Sequence, residues 1–284
     1  MALSIFTSAA GMSSTNAMNK STSSLNTAMQ RLGTGLRINS AADDAAGLQI
    51  ATRLQAQSNG MGVAKQNIAK ATSMLQTAEG AFDEVNNILY RMKDLATQAA
   101  DDTNGEDDRT AIGAEYKELN AELENIMSNT SYGTDKLLSS VSGSVSGKLM
   151  SAMQFQIGAS TDETLKVDFS TEMGKTTGSL KSLLASDLTS ATGGNKAIDS
   201  LNTAIKDVGS MRSTLGANIN RLGHTGANLA NMQDNTNVNL GIIRDADFAS
   251  EATNMTRNQM LTQSSQAMLK QANGMSQMVL GMLG

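Results

Sequence analysis

One uninterrupted run of heptads constrains this chain more than any other feature of its sequence. Between Met61 and Ala99, apolar residues recur alternately three and four positions apart, which places them on one face of an α-helix. At 1.5 Å per residue the run predicts a helical rod of about 60 Å. Proline, which breaks helix interiors, is absent. Aromatic residues make up only 3% of the chain, and with 19 methionines this favours helices packed on helices.

Two further apolar seams lie near the other end of the chain. One runs at heptad spacing from Ile198 to Leu229, and Arg212 interrupts it. We name the last seam the assembly stripe. Its members are Leu261, Met268, Met275, Val279 and Met282. Amphipathic faces so far apart in sequence need partners, and the simplest partners are each other or further copies of the chain.

The middle of the chain has a different character. Two short segments, Met153 to Gly158 and Thr164 to Phe169, alternate apolar and polar residues and predict a β-hairpin. The stretch 170–195 is rich in serine, threonine and glycine with weak periodicity, which predicts a short variable loop. The predicted fold is therefore mainly α, with long terminal helices forming coiled coils and a helical bundle, and a small central β-hairpin.

Two adjacent aspartates, Asp43 and Asp44, are the first candidates for a catalytic or metal site. Such a site needs convergent partners, and the chain has one histidine, His224, and no cysteine. Adjacent residues on a helix also point about 100° apart, so the two carboxylates converge poorly on one ligand. We expect His224 to be a surface or inter-subunit hydrogen-bonding group. The sequence predicts no enzyme activity, no metal site and no cofactor.

A structural interpretation accounts for the two aspartates better. Gly33 and Gly35 interrupt the first helical pattern, because glycine costs about 1 kcal/mol in a helix interior. Ser40 and Asp43 have the spacing of a capping box. Asp43 and Asp44 would then lie in the first turn of the next helix, where carboxylates complement the helix dipole. The segment is predicted to be a helix break followed by a cap.

Charge and hydropathy narrow the set of partners. The net charge of −5 and the absence of a dense lysine and arginine cluster argue against nucleic-acid binding. No apolar stretch approaches the ~18 residues needed to span a bilayer, so we expect no membrane partner. The first residues show neither a basic start nor a sustained apolar run, and no cleavable secretory signal is visible.

Three long segments resemble bacterial flagellin. They are "RLGTGLRINSAADDAAGLQIA" (Arg31 to Ala51), "QTAEGAFDEVNNILYRMKDLATQAA" (Gln76 to Ala100) and "RDADFASEATNMTRNQMLTQSSQAMLKQAN" (Arg244 to Asn273). The resemblance covers roughly the first 180 and the last 90 residues. It implies a structural subunit that self-assembles into the helical flagellar filament, in a minimal form with almost no central surface domain. A repeated heterologous interface that does not close gives such a filament.

The resemblance also implies a division of the chain. Residues 1–42 with 245–284 would form the terminal helices of the inner tube, including an N-terminal linker. Residues 43–244 would form an outer helical bundle, with the hairpin near 148–170 and the variable loop at 170–195. The protein would be exported unfolded by the flagellar type III route and would reside outside the cell, in the filament.

Further partners follow from the resemblance alone. Besides copies of itself, the chain is expected to meet a flagellar export chaperone, the filament cap and the hook-junction proteins. Host Toll-like receptor 5 would contact Arg91, Leu95 and Glu115. Arg91 and Leu95 are four residues apart on one helix face, and an arginine beside an apolar anchor is typical of binding hot spots. The alternative is that Arg91 is a solvated charge and Leu95 part of the helix packing.

Three other classes of protein compete with a filament subunit. A zinc peptidase would need a His-Glu-x-x-His helix, which one histidine cannot supply. A hook–filament junction protein would also be helical at both ends, but it is expected to carry a larger middle domain. A chemoreceptor-type signalling module would share the heptads, but the predicted β-hairpin counts against it.

Overall fold

Long helices dominate the chain. The computed structural model describes residues 9–143 and 146–283, and in the last helix it describes side chains only as far as residue 275 and at residue 278. The helices are α1 (Ala9–Thr34), α2 (Ala45–Ala99), α3 (Glu106–Asn129), α4 (Ser170–Leu184), α5 (Ala191–Arg244) and α6 (Phe248–Leu283). The strands are β1 (Ser131–Tyr132), β2 (Asp135–Lys136), β3 (Met153–Gln156) and β4 (Thr164–Val167). The predicted fold class is confirmed.

The chain divides into two compact units. The terminal unit comprises Met1–Gln57 and Asn235–Gly284, and the central unit comprises Ser58–Asp234. The boundary between the units falls inside α2 and inside α5. The predicted division, at residues 42/43 and 244/245, stays a prediction about filament domains.

The heptad seam of α2 forms the centre of the core in the central unit. Every member from Met61 to Ala99 is buried, with at most 6% of its surface exposed. The members are Met61, Ala64, Ile68, Ala71, Leu75, Ala78, Phe82, Val85, Leu89, Met92, Ala96 and Ala99. Each fully buried methionine, isoleucine, leucine, valine or phenylalanine side chain contributes roughly 1.5–3 kcal/mol, so this seam supplies much of the free energy that stabilises the unit.

Helix α5 supplies the other half of this core. Its residues Leu201, Val208, Leu215, Leu222 and Leu229 recur every seven positions and are all buried. Within the central unit the two helices run antiparallel. The Gln233 side chain donates to the Ser58 carbonyl at one end, and Gly194 lies against Ala100 at the other.

Arg212, the charge that interrupts the α5 seam, is paired with helix α2. Its Nη2 lies 2.8 Å from Glu79 Oε1, and its Nη1 lies 2.9 Å from Asp83 Oδ1. Glu79 and Asp83 are four positions apart, so one guanidinium reaches both carboxylates on the same helix face. The hydrogen bond that Arg212 donates to Glu79 raises the pKa of Arg212. The charge that interrupts the α5 seam thus joins the two core helices through ion pairs.

The acidic segment between α2 and α3 is a capped turn. Arg109 donates to the carbonyls of Ala99 and Asp101, both at 3.0 Å, and so satisfies acceptors left at the end of α2. Asp108 accepts a hydrogen bond from the Gly105 amide at the start of α3. The three acids in the first turn of α3 complement its dipole.

The predicted β-hairpin is present, and its register follows the alternation of the sequence. Strands β3 and β4 pair antiparallel, with Met153 opposite Val167 and Phe155 opposite Leu165. Met153, Leu165 and Val167 are buried in the core of the central unit. The shorter hairpin of β1 and β2 is not predicted from the sequence, because its four residues are all exposed and leave no apolar pattern.

The predicted variable loop at 170–195 is wrong. Residues Ser170–Leu184 form helix α4, and α5 already begins at Ala191. The buried side chains of α4 are Met173, Thr176, Leu180 and Leu183, spaced by three and four. Thr176 is polar but donates to the Glu172 carbonyl, so it fits a buried helix face. The serine, threonine and glycine content obscured this pattern.

Tyr116 of α3 makes the folding of the central unit sensitive to alkaline pH. Burial disfavours the phenolate and raises the pKa of Tyr116 to about 12. The contribution to stability is therefore full below the unfolded pKa of about 10 and is lost as the pH rises towards 12. Between pH 9 and 11.5 the unfolding free energy of the parent should fall by up to about 2 kcal/mol more than that of Tyr116→Phe.

Denaturant unfolding followed by circular dichroism at several pH values measures this difference. Tyr90→Phe, at an exposed position of α2, is the matched control and should keep the parent's slope. Equal alkaline losses in the parent and in Tyr116→Phe would show that the buried phenol carries no such linkage.

Candidate assembly surfaces

Helices α1 and α6 pair in the terminal unit through small side chains. On α1 the buried residues are Gly11, Ser14, Ser21 and Ala28, spaced by three or seven. On α6 the buried residues with described side chains are Glu251, Ser265 and Ala272. Small residues let two helices approach closely, but they remove little apolar surface from water. The larger apolar side chains of the pair are only half-buried: Met18, Leu25 and Leu32 on α1, and Met255 and Leu269 on α6. The seam between the two ends of the chain therefore leaves apolar surface exposed.

The chain leaves α1 through a turn that only glycine adopts easily. Gly35 has a φ of +73°, and its amide donates to the Arg31 carbonyl at 2.8 Å, which ends the helix. Its own carbonyl accepts from the Ala246 amide at 3.0 Å. The Arg37 amide donates to the Arg244 carbonyl at 2.7 Å. These bonds join the end of α1 to the start of α6, and the two helices run antiparallel.

A largely buried ion pair holds the same junction. Arg31 Nη1 lies 2.8 Å from Glu251 Oε1, and only 10% of the Glu251 side chain is exposed. Glu251 lies in the first turn of α6, where its charge also complements the helix dipole. The two residues are 220 positions apart. A single sequence contains no signal that would pair them, and the sequence analysis missed both.

Asp43 and Asp44 shape the chain, although not as the sequence predicted. The expectation that both lie in the first turn of a helix is wrong, because α2 begins at Ala45. Asp44 Oδ1 accepts from the Gly47 amide at 2.8 Å and caps the helix. Asp43 Oδ2 accepts from the amides of Asn39 and Ser40 and from the Ser40 hydroxyl. The hydrogen bonds from Ser40 lower the pKa of Asp43.

Of the two glycines predicted to interrupt the first helix, only Gly35 ends it. Helix α1 continues through Gly33 to Thr34, so Gly33 lies within the helix and only Gly35 leaves it. A methyl group added at Gly33 would meet no atom within 4 Å. Glycine in a helix interior lowers helix stability without preventing the helix.

Residues 9–143 and 146–283 carry no arrangement typical of a metal site or a membrane span. This part of the chain contains no group of three or more histidine, cysteine, aspartate or glutamate side chains arranged to hold a metal. None of its helices combines the length and hydropathy that crossing a bilayer requires. His224 is exposed on α5.

Three members of the assembly stripe lie on a face of α6 that no residue of the described part of the chain covers. Leu261, Met268 and Met275 are 47%, 60% and 55% exposed. The side chains of Val279 and Met282 lie outside the described residues. Ser265 and Ala272, which are buried, lie on the neighbouring face of the same helix. Three large apolar side chains at heptad spacing are thus exposed beside the α1–α6 seam.

The three residues expected to contact a receptor are not equivalent. Arg91 and Glu115 form an ion pair, with Arg91 Nη2 at 2.6 Å from Glu115 Oε1, and about half of each side chain is exposed. The expectation that Leu95 is an apolar anchor for the receptor is wrong, because Leu95 is only 2% exposed and lies in the core of the central unit. Ala96, beside it, is also buried, so the buried stripe of α2 is wider here than one seam.

The two glycines at the end of α1 allow a matched test of this junction. Gly33→Ala should stabilise α1 by up to about 1 kcal/mol, because alanine favours a helix interior and meets no neighbour. Gly35→Ala should destabilise the junction by about 1–2 kcal/mol, because its φ is positive. Amide hydrogen exchange along α1 measures both effects. Changes of the same sign in the two variants would contradict the assignment.

Comparison with known proteins places these surfaces in a family. Residues 5–142 match the bacterial flagellin N-terminal helical region, and residues 198–283 match the bacterial flagellin C-terminal helical region. A flagellin of Halalkalibacterium halodurans is 40% identical over 256 residues, which are 90% of each chain. Polar flagellin F of Vibrio parahaemolyticus is 43% identical over 171 residues, 60% of this chain and 43% of that relative. The chain thus matches less than half the length of the Vibrio protein.

A solved structure shares the fold. A putative flagellar hook-associated protein from Vibrio parahaemolyticus superposes with a TM-score of 0.58 at 15% identity, covering 71% of this chain and 99% of that one. This likeness shows a common fold and does not favour the hook–filament alternative. Matches to both flagellin regions, with 40% identity across nine-tenths of a flagellin, show that the chain belongs to the bacterial flagellin family, the structural subunits of the flagellar filament.

Proposed function

We propose that copies of this flagellin join through the exposed face of α6. The observation that carries the proposal is the assembly stripe, where Leu261, Met268 and Met275 are exposed beside the α1–α6 seam. A neighbouring copy that covered them would remove three large apolar side chains from water. In this account residues 1–42 and 245–284 form the inner tube of the filament, and residues 43–244 form the outer bundle.

Incomplete burial along the α1–α6 seam explains why a second copy is needed. The four fully buried residues of α1 carry at most two side-chain heavy atoms each, and Met18, Leu25 and Leu32 are only half-buried, so the intramolecular pair leaves apolar area exposed. Burial of the assembly stripe against a neighbouring copy then adds the apolar contact that the α1–α6 seam lacks. The stability of this helix pair therefore depends on protein concentration. The same contact repeated from copy to copy produces a helical filament.

The route to the filament and its accessory partners are also part of the proposal. Membership of the family implies an extracellular flagellar filament. Export as an unfolded chain through the flagellar type III route suits a protein with no cysteine, because no disulfide has to be broken or formed. A chaperone that covers α6 before export, the filament cap and the hook-junction proteins complete the expected set of partners.

Replacing the assembly stripe with polar residues should abolish polymerisation. Each buried leucine or methionine contributes about 1.5–3 kcal/mol, so Leu261→Ser/Met268→Ser/Met275→Ser removes several kcal/mol per contact. The central unit should stay folded, because none of the three residues belongs to its core. Sedimentation of the polymerised protein measures assembly, and circular dichroism measures folding.

The matched control is Leu261→Met/Met268→Leu/Met275→Leu, which keeps the apolar area and should assemble like the parent. Long filaments of the serine variant at the parent's protein concentration would refute the role given to the stripe.

A second function, recognition by Toll-like receptor 5, is favoured by one observation. Arg91 and Glu115 form an exposed ion pair on α2 and α3, where a binding partner can reach both side chains. Exposed ion pairs contribute only about 0–1 kcal/mol to folding, so the pair is available for recognition at little cost to stability. We propose that these two residues contact the receptor and that Leu95 supports them from the core.

Receptor-reporter activation by the monomer tests this second function. Arg91→Ala and Glu115→Ala should each lower the response about tenfold, which corresponds to about 1.4 kcal/mol of binding free energy. Lys148→Ala is the control, because Lys148 belongs to another exposed ion pair of the same unit, with Asp135. A silent parent, or two variants equal to it, would remove the receptor from the list of partners.

A further inference from the structure

The methionines that the structure describes differ in burial between the two units. The fully buried ones among them lie in the central unit: Met61, Met74, Met92, Met127, Met153, Met173 and Met211. Met18 and Met255 of the terminal unit are half-buried. The strongly exposed methionines are Met12, Met29, Met260, Met268, Met275 and Met278 in the terminal unit, and Met232 in the central unit. Four of the exposed residues lie on α6, and we name them the α6 methionines: Met260, Met268, Met275 and Met278.

Exposure decides which methionines can react with an oxidant. A hydroperoxide transfers one oxygen atom to the thioether sulfur: the sulfur loses two electrons and becomes a sulfoxide, the O–O bond breaks, and the peroxide leaves as water or an alcohol. The chain has no cysteine, so thioethers are its only sulfur groups. No thiol of the chain competes for the oxidant, and the exposed methionines become its first targets.

We propose that the α6 methionines are a peroxide-sensitive modification site that controls assembly of the filament. The inference rests on the proposed function, in which a neighbouring copy covers this face of α6. A sulfoxide replaces an apolar thioether by a strongly polar group. Covering it would bury a polar oxygen, which costs free energy unless a hydrogen-bond donor faces it.

Because of where the α6 methionines lie, their oxidation affects assembly and not folding. Ser265 and Ala272 cannot be oxidised by this chemistry, and the methionines of the α1–α6 pair, Met18 and Met255, are half-buried and so less accessible than the α6 methionines. The core methionines of the central unit are shielded, as Met92 and Met211 show with no exposed surface. The oxidised monomer therefore stays folded and loses only its ability to join another copy.

The exposure of the α6 methionines also determines when they can be oxidised. In the monomer the α6 methionines are open to peroxide, whereas in the filament the neighbouring copy shields them. Oxidation thus acts on subunits before they assemble and spares filaments already formed. Methionine sulfoxide is reduced back by enzymes of the sulfoxide reductase class, so the block is reversible.

The test oxidises the monomer with graded hydrogen peroxide and then measures the critical concentration for polymerisation by sedimentation. Peptide mass spectrometry quantifies the sulfoxide at each methionine, and circular dichroism checks that the monomer is folded. We expect the α6 methionines to react ahead of the buried ones. The critical concentration of the parent should rise about tenfold or more.

Two variants separate the α6 methionines from the other exposed ones. Met260→Leu/Met268→Leu/Met275→Leu/Met278→Leu keeps the apolar area and should assemble normally after peroxide treatment. Met12→Leu/Met29→Leu/Met232→Leu keeps the α6 methionines and should remain as sensitive as the parent. Equal sensitivity of the two variants would overturn the proposal.

Two further measurements complete the design. Treating the oxidised parent with a methionine sulfoxide reductase should restore assembly; sulfoxides removed without recovery would overturn the proposal. Peroxide treatment of finished filaments separates the two inferences. α6 methionines that react as fast in filaments as in monomers would overturn the proposed coverage of this face. Protection in filaments combined with normal assembly of oxidised monomer would overturn the redox inference alone.

Discussion

The incomplete burial of apolar side chains where the two ends of the chain pair governs how this protein behaves. The fully buried residues of α1 are Gly11, Ser14, Ser21 and Ala28, whereas larger ones such as Leu25 are only half-buried. On α6, Met268 and Met275 are exposed outside the pair. In the filament that we propose, a second copy of the chain covers these exposed side chains.

The central unit follows the opposite plan. Its two long helices bury large residues at heptad spacing, and Arg212 links them across Glu79 and Asp83. Glu124 adds a polar anchor for the loop after β2, accepting from the Val141 amide at 2.9 Å and from the Ser140 hydroxyl at 2.6 Å. This unit has a complete core of its own, so changes on α6 can disturb assembly without unfolding it.

Periodicity made most of the fold predictable from the sequence. The seam from Met61 to Ala99 and the alternation around β3 and β4 each specify an element by the spacing of apolar residues. The same criterion failed for α4, because Thr176 lies buried at a position where the pattern needs an apolar residue. It also failed for Leu95, because a helix covered on two sides buries more than one seam.

The junction of the terminal unit was beyond prediction for a different reason. Gly35 was found because glycine marks chain breaks, but its exact role depends on Ala246, which approaches only in the fold. The Arg31–Glu251 pair joins residues at opposite ends of the chain, and no local pattern connects them. Local sequence patterns therefore predict helices, strands and caps, whereas polar contacts between distant residues become known only from the structure.

An electron cryomicroscopy map of the polymerised protein tests the central claim most directly. The account predicts that the side chains of Leu261, Met268 and Met275 lie within about 4.5 Å of apolar atoms of a neighbouring copy. A filament in which these side chains remain exposed to water, with α1 as their helix's only partner, would contradict it.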